Sequence, residues 1–303
     1  MAAAVVTSWE EVRRTNGGGL PHARVLGPVP RRDVEMMTKR VFPPLRALLR
    51  AGYFSLNVEG AEHVPRSGPA IYVGNHSGWF TMDTFLGAIA LADHVGIDRL
   101  PWGAVQDELL RVPKIGRFFE AFGGFPASWL RTPELIPREM EVFSVYPEGT
   151  EGNCKSFLHA YRMRAWHSGF LRIALARGAP IVPVAIIGGE ECLPVAWTLR
   201  FVKPILGTIL PWPVTVLPLP SRWKFIFHEP IKLSASDLGD EREPVEIRKQ
   251  RAHRMATKIR DRVQRTLDER TSGRTLARIS KYLMMHSRVP ASISSTASIL
   301  PGI

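Results

Sequence analysis

With 303 residues, 45% of them hydrophobic and 22% charged, the chain suits one large domain or two small ones, and wholesale disorder is excluded. Forty Lys and Arg against 28 Asp and Glu leave a formal charge of +12, which points to anionic partners: nucleic acid, a membrane surface or a phosphorylated substrate. Two cysteines, Cys154 and Cys192, exclude a disulfide framework and a cysteine-based zinc site, and read as packing residues in a reducing compartment.

Residues 1–30, punctuated by Gly17–Gly19, Pro21, Pro28 and Pro30, read as a loose lead-in, and Glu10 and Glu11 come too soon for a secretory signal. Residues 31–52 are basic and amphipathic: at helical spacing Val41, Leu45, Leu48 and Leu49 share one side, and Lys39, Arg46 and Arg50 the other. Such a helix either packs on its own domain or lies in the plane of a membrane.

From residue 53 to 235 short β-rich runs alternate with helical ones. Strands are predicted at Phe54–Val58, Ala70–Gly74, Val142–Tyr146, Ile181–Ile187 and Trp223–Phe227, and helices at Asp83–Leu91, Ile115–Ala121 and Trp166–Arg177. This alternation predicts an α/β fold with a mostly parallel central sheet flanked by helices, whose ligand site lies at the carboxyl ends of strands. The most apolar window, Phe201–Pro220, carries Lys203 and five prolines, so it does not read as a transmembrane helix. Residues 236–286 form a basic helical extension in which Pro244–Arg270 reads as one long helix. Between 241 and 282 there are 13 basic and 6 acidic residues, so +7 of the net charge sits there, as a solvated face or as a docking surface. The Ser-rich residues 287–303 read as a disordered tail.

Three segments that follow predicted strands carry the chemistry: Asn75-His76-Ser77-Gly78 with Asp83 downstream, Tyr146-Pro147-Glu148-Gly149-Thr150, and Ile181-Val182-Pro183-Val184. Between the first two lie Gly116-Arg117-Phe118-Phe119 and Gly123-Gly124-Phe125-Pro126-Ala127-Ser128, and the pattern continues through Gly169–Leu175 to Phe227-His228-Glu229-Pro230-Ile231. In this order, over about residues 55–233, the chain resembles the glycerolipid acyltransferase superfamily, which includes the 1-acylglycerol-3-phosphate acyltransferases. The residue chemistry agrees, because an alcohol loses its proton as it attacks a thioester, and His is suited to take it near neutral pH.

The resemblance implies that His76 is the general base and Asp83 its orienting partner. It implies acceptor binding by the Glu148-Gly149-Thr150 loop, with Asn75, Ser128, Lys155 and Arg172 as further acceptor contacts. It implies no cofactor, since acyl-CoA or acyl carrier protein is a co-substrate. The partners implied are an acyl thioester donor, a lipid acceptor and an anionic membrane surface, with the protein peripheral on the cytoplasmic face.

Three departures from the family pattern are visible. Asp83 stands seven positions after His76 rather than five, a rise of about 10 Å in a continuous helix. It can orient His76 only if Ser77–Phe80 folds back; otherwise it sits in the first turn of the next helix as a capping or dipole-stabilising group. Glu151 occupies the position of the family's phosphate-holding Arg, and Ala127-Ser128-Trp129 replaces a basic residue. Lys155, Arg162, Arg164 and Arg172 are the cations available as substitutes. No Gly-x-Ser-x-Gly elbow supports a hydrolase, and the histidines lack metal-ligand spacing. The competing class is a non-catalytic basic membrane- or nucleic-acid-binding protein on a degenerate form of the same fold, with nucleic acid the minor partner.

Overall fold

The computed structural model describes residues 29–239 and 242–286, so nearly all of the expected lead-in and the whole of the expected tail lie outside the described residues. The strands are β1 (Phe54–Glu59), β2 (Ala70–Gly74), β3 (Trp102–Val105), β4 (Gly124–Pro126), β5 (Val142–Val145), β6 (Ile181–Ile187), β7 (Val195–Leu199), β8 (Leu210–Pro213) and β9 (Ser221–Phe227). Seven of them form one sheet in the order β1-β9-β6-β2-β5-β3-β4, while β7 and β8 make a separate hairpin. All pairings in the large sheet are parallel except β6 with β9. The central strands β2 and β6 are buried at every residue, as their uninterrupted apolar sequences require.

Side-chain alternation divides the core in two. Tyr72, Val182, Val184, Phe225 and Phe227 face one side of the sheet, and Ile71, Val73, Phe143, Ala185 and Ile226 the other. On the first side pack α1 (Phe42–Arg50), with the turns that precede it, and α2 (Met82–Val95). Pro43 and Pro44 open α1, where a missing N–H costs nothing. Gly52 closes it at φ +73°, with the Tyr53 amide returning to the Leu48 carbonyl at 3.0 Å. Leu45, Leu48 and Leu49 lie against the core, so the first of the two readings of this amphipathic helix holds: its apolar face packs inward.

Short α3 (Ile115–Ala121) precedes β4, and α4 (Gly169–Arg177) packs on the second face with α5 (Val245–Thr271); α6 (Thr275–His286) follows. The sequence reading set residues 236–286 apart as an extension, yet α5 is a layer of the same core. Ala256, Ile259, Val263 and Leu267 form a helical stripe buried against the sheet, while the arginines and lysines occupy the rest of its circumference. Among the described residues no helix is long and apolar enough to cross a membrane.

Candidate active site

Parallel pairing sets the carboxyl ends of β6, β2 and β5 side by side, with β2 in the middle. Asn75, the first residue beyond β2, is fully buried and clamps β6: its Nδ2 donates to the Ile186 carbonyl at 2.8 Å and its Oδ1 accepts from the Ile186 amide at 2.7 Å. The chain then doubles back. Gly78 adopts φ +81°, where an added Cβ would lie 2.9 Å from the Gly189 carbonyl oxygen, and Thr81 takes φ +50° at the entrance of α2. These two left-handed residues carry Asp83, in the first turn of α2, back to His76.

The Asp83 carboxylate is wholly buried. Its Oδ2 lies 2.8 Å from His76 Nδ1 and 3.1 Å from the Ser77 amide, and its Oδ1 accepts from the Thr84 amide at 2.8 Å. Asp83 therefore faces the imidazole and also sits at the positive end of a helix. An ionised carboxylate only accepts, so in the neutral imidazole Nδ1 carries the hydrogen and Nε2 the lone pair. Nε2 has no hydrogen-bond partner among the described residues, and 11% of the His76 side chain remains exposed. Tyr146 stacks on the imidazole with ring centroids 4.3 Å apart and planes 6° from parallel. Burial, then the Asp83 charge, raises the pKa of its phenol, so it stays protonated.

A buried ion cluster braces this loop from below. Glu148 Oε1 accepts from the His76 amide at 3.2 Å and Oε2 from the Arg164 amide at 2.7 Å. Lys155 Nζ lies 3.1 Å from Glu190 Oε1, 3.8 Å from Glu148 Oε2 and 3.5 Å from the His76 carbonyl oxygen. Burial works against this ammonium, but Glu148 and Glu190 outweigh it and hold its pKa above the lysine norm. Beside the histidine, between α2 and the sheet, runs a narrow apolar cleft of about 80 Å³. Thr84, Ser144 and Tyr146 stand along it, with Gly87, Gly103 and Phe225 among its other lining residues.

Residues 55–187 match the protein family described as Acyltransferase. This match, to an acyltransferase domain, takes in 133 of the chain's 303 residues. The chain is 30% identical over 243 residues to uncharacterized proteins of Mycobacterium tuberculosis and Mycobacterium bovis, covering 76% of this chain and 66% of each of theirs. It is 29% identical over 245 residues to one of Mycobacterium leprae, covering 77% of this chain and 64% of that one. The chain thus spans about two thirds of the length of these relatives. Among solved structures it is similar to the 1-acyl-sn-glycerophosphate (LPA) acyltransferase PlsC of Thermotoga maritima, at 21% identity and TM-score 0.49, covering 78% of this chain and 79% of that one.

The acyltransferase motifs assemble unevenly. His76, Asp83, Asn75, Glu148 and Lys155 come together at the strand ends, with Gly149 and Thr150 half-buried in the same loop. Three of these polar groups are engaged within the protein: Asn75 by β6, Glu148 by two amides, and Lys155 by two carboxylates with only 1% of its side chain exposed. They brace the loop rather than face a ligand. Ser128 lies beyond edge strand β4, three strands from β2 and so roughly 14 Å along the sheet, with its amide donating to Asp107. Arg172 is exposed on α4, on the second face, where it bonds the Arg131 carbonyl. Arg162 pairs with Asp268 at 3.0 Å. Of the four candidate cations, Arg164 and Arg172 have no carboxylate partner among the described residues, and only Arg164 has a buried Nε without a partner. Glu151, standing where the family carries its Arg, makes a two-pronged pair with Arg200 at 2.7 and 2.5 Å. Tyr146 and Glu190 escaped the sequence reading; the first looked like a strand residue, and the second lies 42 residues beyond Glu148.

Among the described residues no group of three or more His, Cys, Asp or Glu is arranged to hold a metal ion. Both cysteines are buried and free, and burial followed by the Glu151 charge pushes the Cys154 thiol up to about 12, so it is no thiolate nucleophile.

Proposed function

We propose that this chain transfers a fatty acyl group from acyl-CoA or acyl carrier protein to a hydroxyl of a glycerol phosphate, a lysophospholipid or a related lipid, working as a peripheral protein on the cytoplasmic face of an anionic membrane. The reading rests above all on the buried Asp83 carboxylate 2.8 Å from His76 Nδ1, which leaves the Nε2 lone pair for a substrate. The acceptor hydroxyl gives its proton to Nε2 as its oxygen attacks the thioester carbonyl. When the C–S bond breaks, the departing thiolate takes that proton back, and no acyl-enzyme forms. Asp83 stabilises the imidazolium of the intermediate step and fixes the tautomer that precedes it.

The apolar cleft beside Tyr146 receives the first methylenes of the acyl chain; its lining suits them and offers few polar partners. Arg164 is the cation that meets an acceptor phosphate; its own charge and that of Lys155 add to burial in lowering the pKa of neighbouring His159, evidence of a positive environment. Purified protein incubated with a labelled acyl thioester and a panel of lipid acceptors, with products identified by mass, tests the assignment. His76→Ala is expected to abolish transfer, and Arg164→Gln to raise KM for phosphorylated acceptors while sparing neutral ones. Transfer that survives in His76→Ala sinks the general-base role.

A further inference from the structure

Residues 194–219 contain two cations, Arg200 and Lys203, and no Asp or Glu. They comprise the β7–β8 hairpin and the proline-rich segment after it. Trp197, Phe201, Ile205, Trp212, Val216 and Leu217 are between 55% and 83% exposed. A soluble monomer rarely shows so much contiguous apolar surface without a partner. Trp197 and Trp212 stand opposite one another in the hairpin register, so both indoles lie on one face. Pro211 and Pro213 remove two amides from β8, which makes that strand a poor template for pairing with a second chain.

The patch is attached to the loops of the active site. The Trp79 indole, three residues after His76, donates to the Thr215 carbonyl at 3.2 Å, and the Thr198 hydroxyl donates to the Cys154 carbonyl at 2.6 Å. The Arg200–Glu151 pair ties the segment to the turn that follows Gly149. At its far side Thr208 bonds Gln106 at 3.0 Å, next to residues 111–117, where Arg111, Lys114 and Arg117 are exposed beside Val112 and Ile115.

We infer that this surface is where the protein docks on an anionic lipid bilayer, with the hairpin tryptophans and the aliphatic residues of 201–217 entering the headgroup boundary and the flanking cations meeting lipid phosphates. Tryptophan favours that boundary because its ring is amphipathic, and binding of this kind grows with buried apolar area and with cations near the surface. Aliphatic side chains at this density give nothing to a nucleic acid, whose contacts call for cations and aromatic faces. The inference rests on the acyltransferase reading for its purpose: docking here turns the His76 entrance toward the bilayer, so a lipid acceptor and its product need not cross water.

The test uses Phe201→Glu/Ile205→Glu/Leu217→Glu, three positions exposed enough that a charge does not disturb the core. Wild-type protein is expected to sediment with vesicles of mixed phosphatidylcholine and phosphatidylglycerol. The triple variant is expected to lose at least roughly tenfold in partitioning, and its transfer to vesicle-embedded acceptor falls in parallel. Transfer to a short-chain acceptor dissolved as monomers, and the melting temperature, stay unchanged. Quenching of wild-type tryptophan fluorescence by a lipid-borne quencher, lost in Trp197→Phe/Trp212→Phe, is a second readout that needs no charged substitution. A triple variant that sediments like wild type overturns the inference. So does a wild-type dimer that the variant dissociates without a change in vesicle partitioning, since the patch is then an interface between copies. If wild type partitions but transfers acyl groups to no acceptor, the docking surface stands and the enzymatic reading fails.

Discussion

Asp83→Asn is the sharpest perturbation of the site, because it changes one charge and almost no volume. In the transition state the imidazole gains a proton at Nε2, and the resulting cation lies 2.8 Å from a carboxylate with no exposure. At an effective dielectric of about 20, unit charges at that separation attract by roughly 6 kcal/mol, an upper bound that protein relaxation reduces. Asparagine also presents an N–H₂ group where the carboxylate accepted, which favours the tautomer with its hydrogen on Nε2, the wrong one for a base. A loss of about 3–5 kcal/mol follows, or a hundredfold to several thousandfold in kcat, with little change in KM. One of the two amide bonds from Ser77 and Thr84 is weakened as well, at about 1 kcal/mol of stability. Single-turnover transfer at saturating acceptor measures the first effect and thermal melting the second. A variant with kcat within threefold of wild type would refute the proposed role of Asp83, whatever its melting temperature.

Lys155→Met leaves Glu148 and Glu190 buried without their cation, so about 3–5 kcal/mol of stability is lost and the melting temperature falls by roughly 10 °C; adding Glu190→Gln recovers part of it in a thermal scan. Gly103→Leu fills the cleft, because a Cβ there meets nothing within 4 Å, and transfer from long-chain thioesters drops while short chains are spared in a chain-length competition assay. His228 has its pKa lowered to about 4 by burial, then by Arg262 and His63. The folded protein therefore holds it neutral, and the stability this contributes is complete above about 6.5 and declines as pH falls toward 4. His228→Asn is expected to flatten that acid limb in denaturant titrations run across this window.

Much of the fold was legible where one physical demand dominates the sequence. β2, β5 and β6 must be apolar on both faces, so they read as short β-branched runs with sharp ends. β3 and β4 carry glycines and span only four and three residues, too little pattern to register. The stripe of α5 was masked because Ala256, Ile259, Val263 and Leu267 are outnumbered by arginines and lysines around the same helix. At the site, His76 and Asp83 were legible as residue types, but their distance was not. A helical rise separates them by about 10 Å, and only the turn at Gly78 and Thr81 brings them into contact. Asn75 and Lys155 illustrate a different limit. A polar residue beside a reactive one looks the same in sequence whether it awaits a ligand or satisfies a neighbour, and here burial gives both to the scaffold.

The distribution of charge bears on how such a protein would meet a membrane. Most of the +12 lies on α5 and α6, yet α5 spends its apolar stripe on the second face of the sheet. The five most exposed large hydrophobic residues, Ile205, Phe201, Val216, Leu217 and Trp197, lie instead on the segment attached to the active-site loops, with few cations of its own. On the docking proposed above, the two features do separate work: the basic helices raise the encounter rate with anionic lipid over a distance set by the Debye length, and the hairpin surface sets how long the protein stays. Added salt should then slow association with vesicles far more than it speeds dissociation, whereas the triple glutamate variant should do the reverse. Stopped-flow binding that shows one rate constant absorbing both effects would mean that a single surface carries both the charge and the insertion.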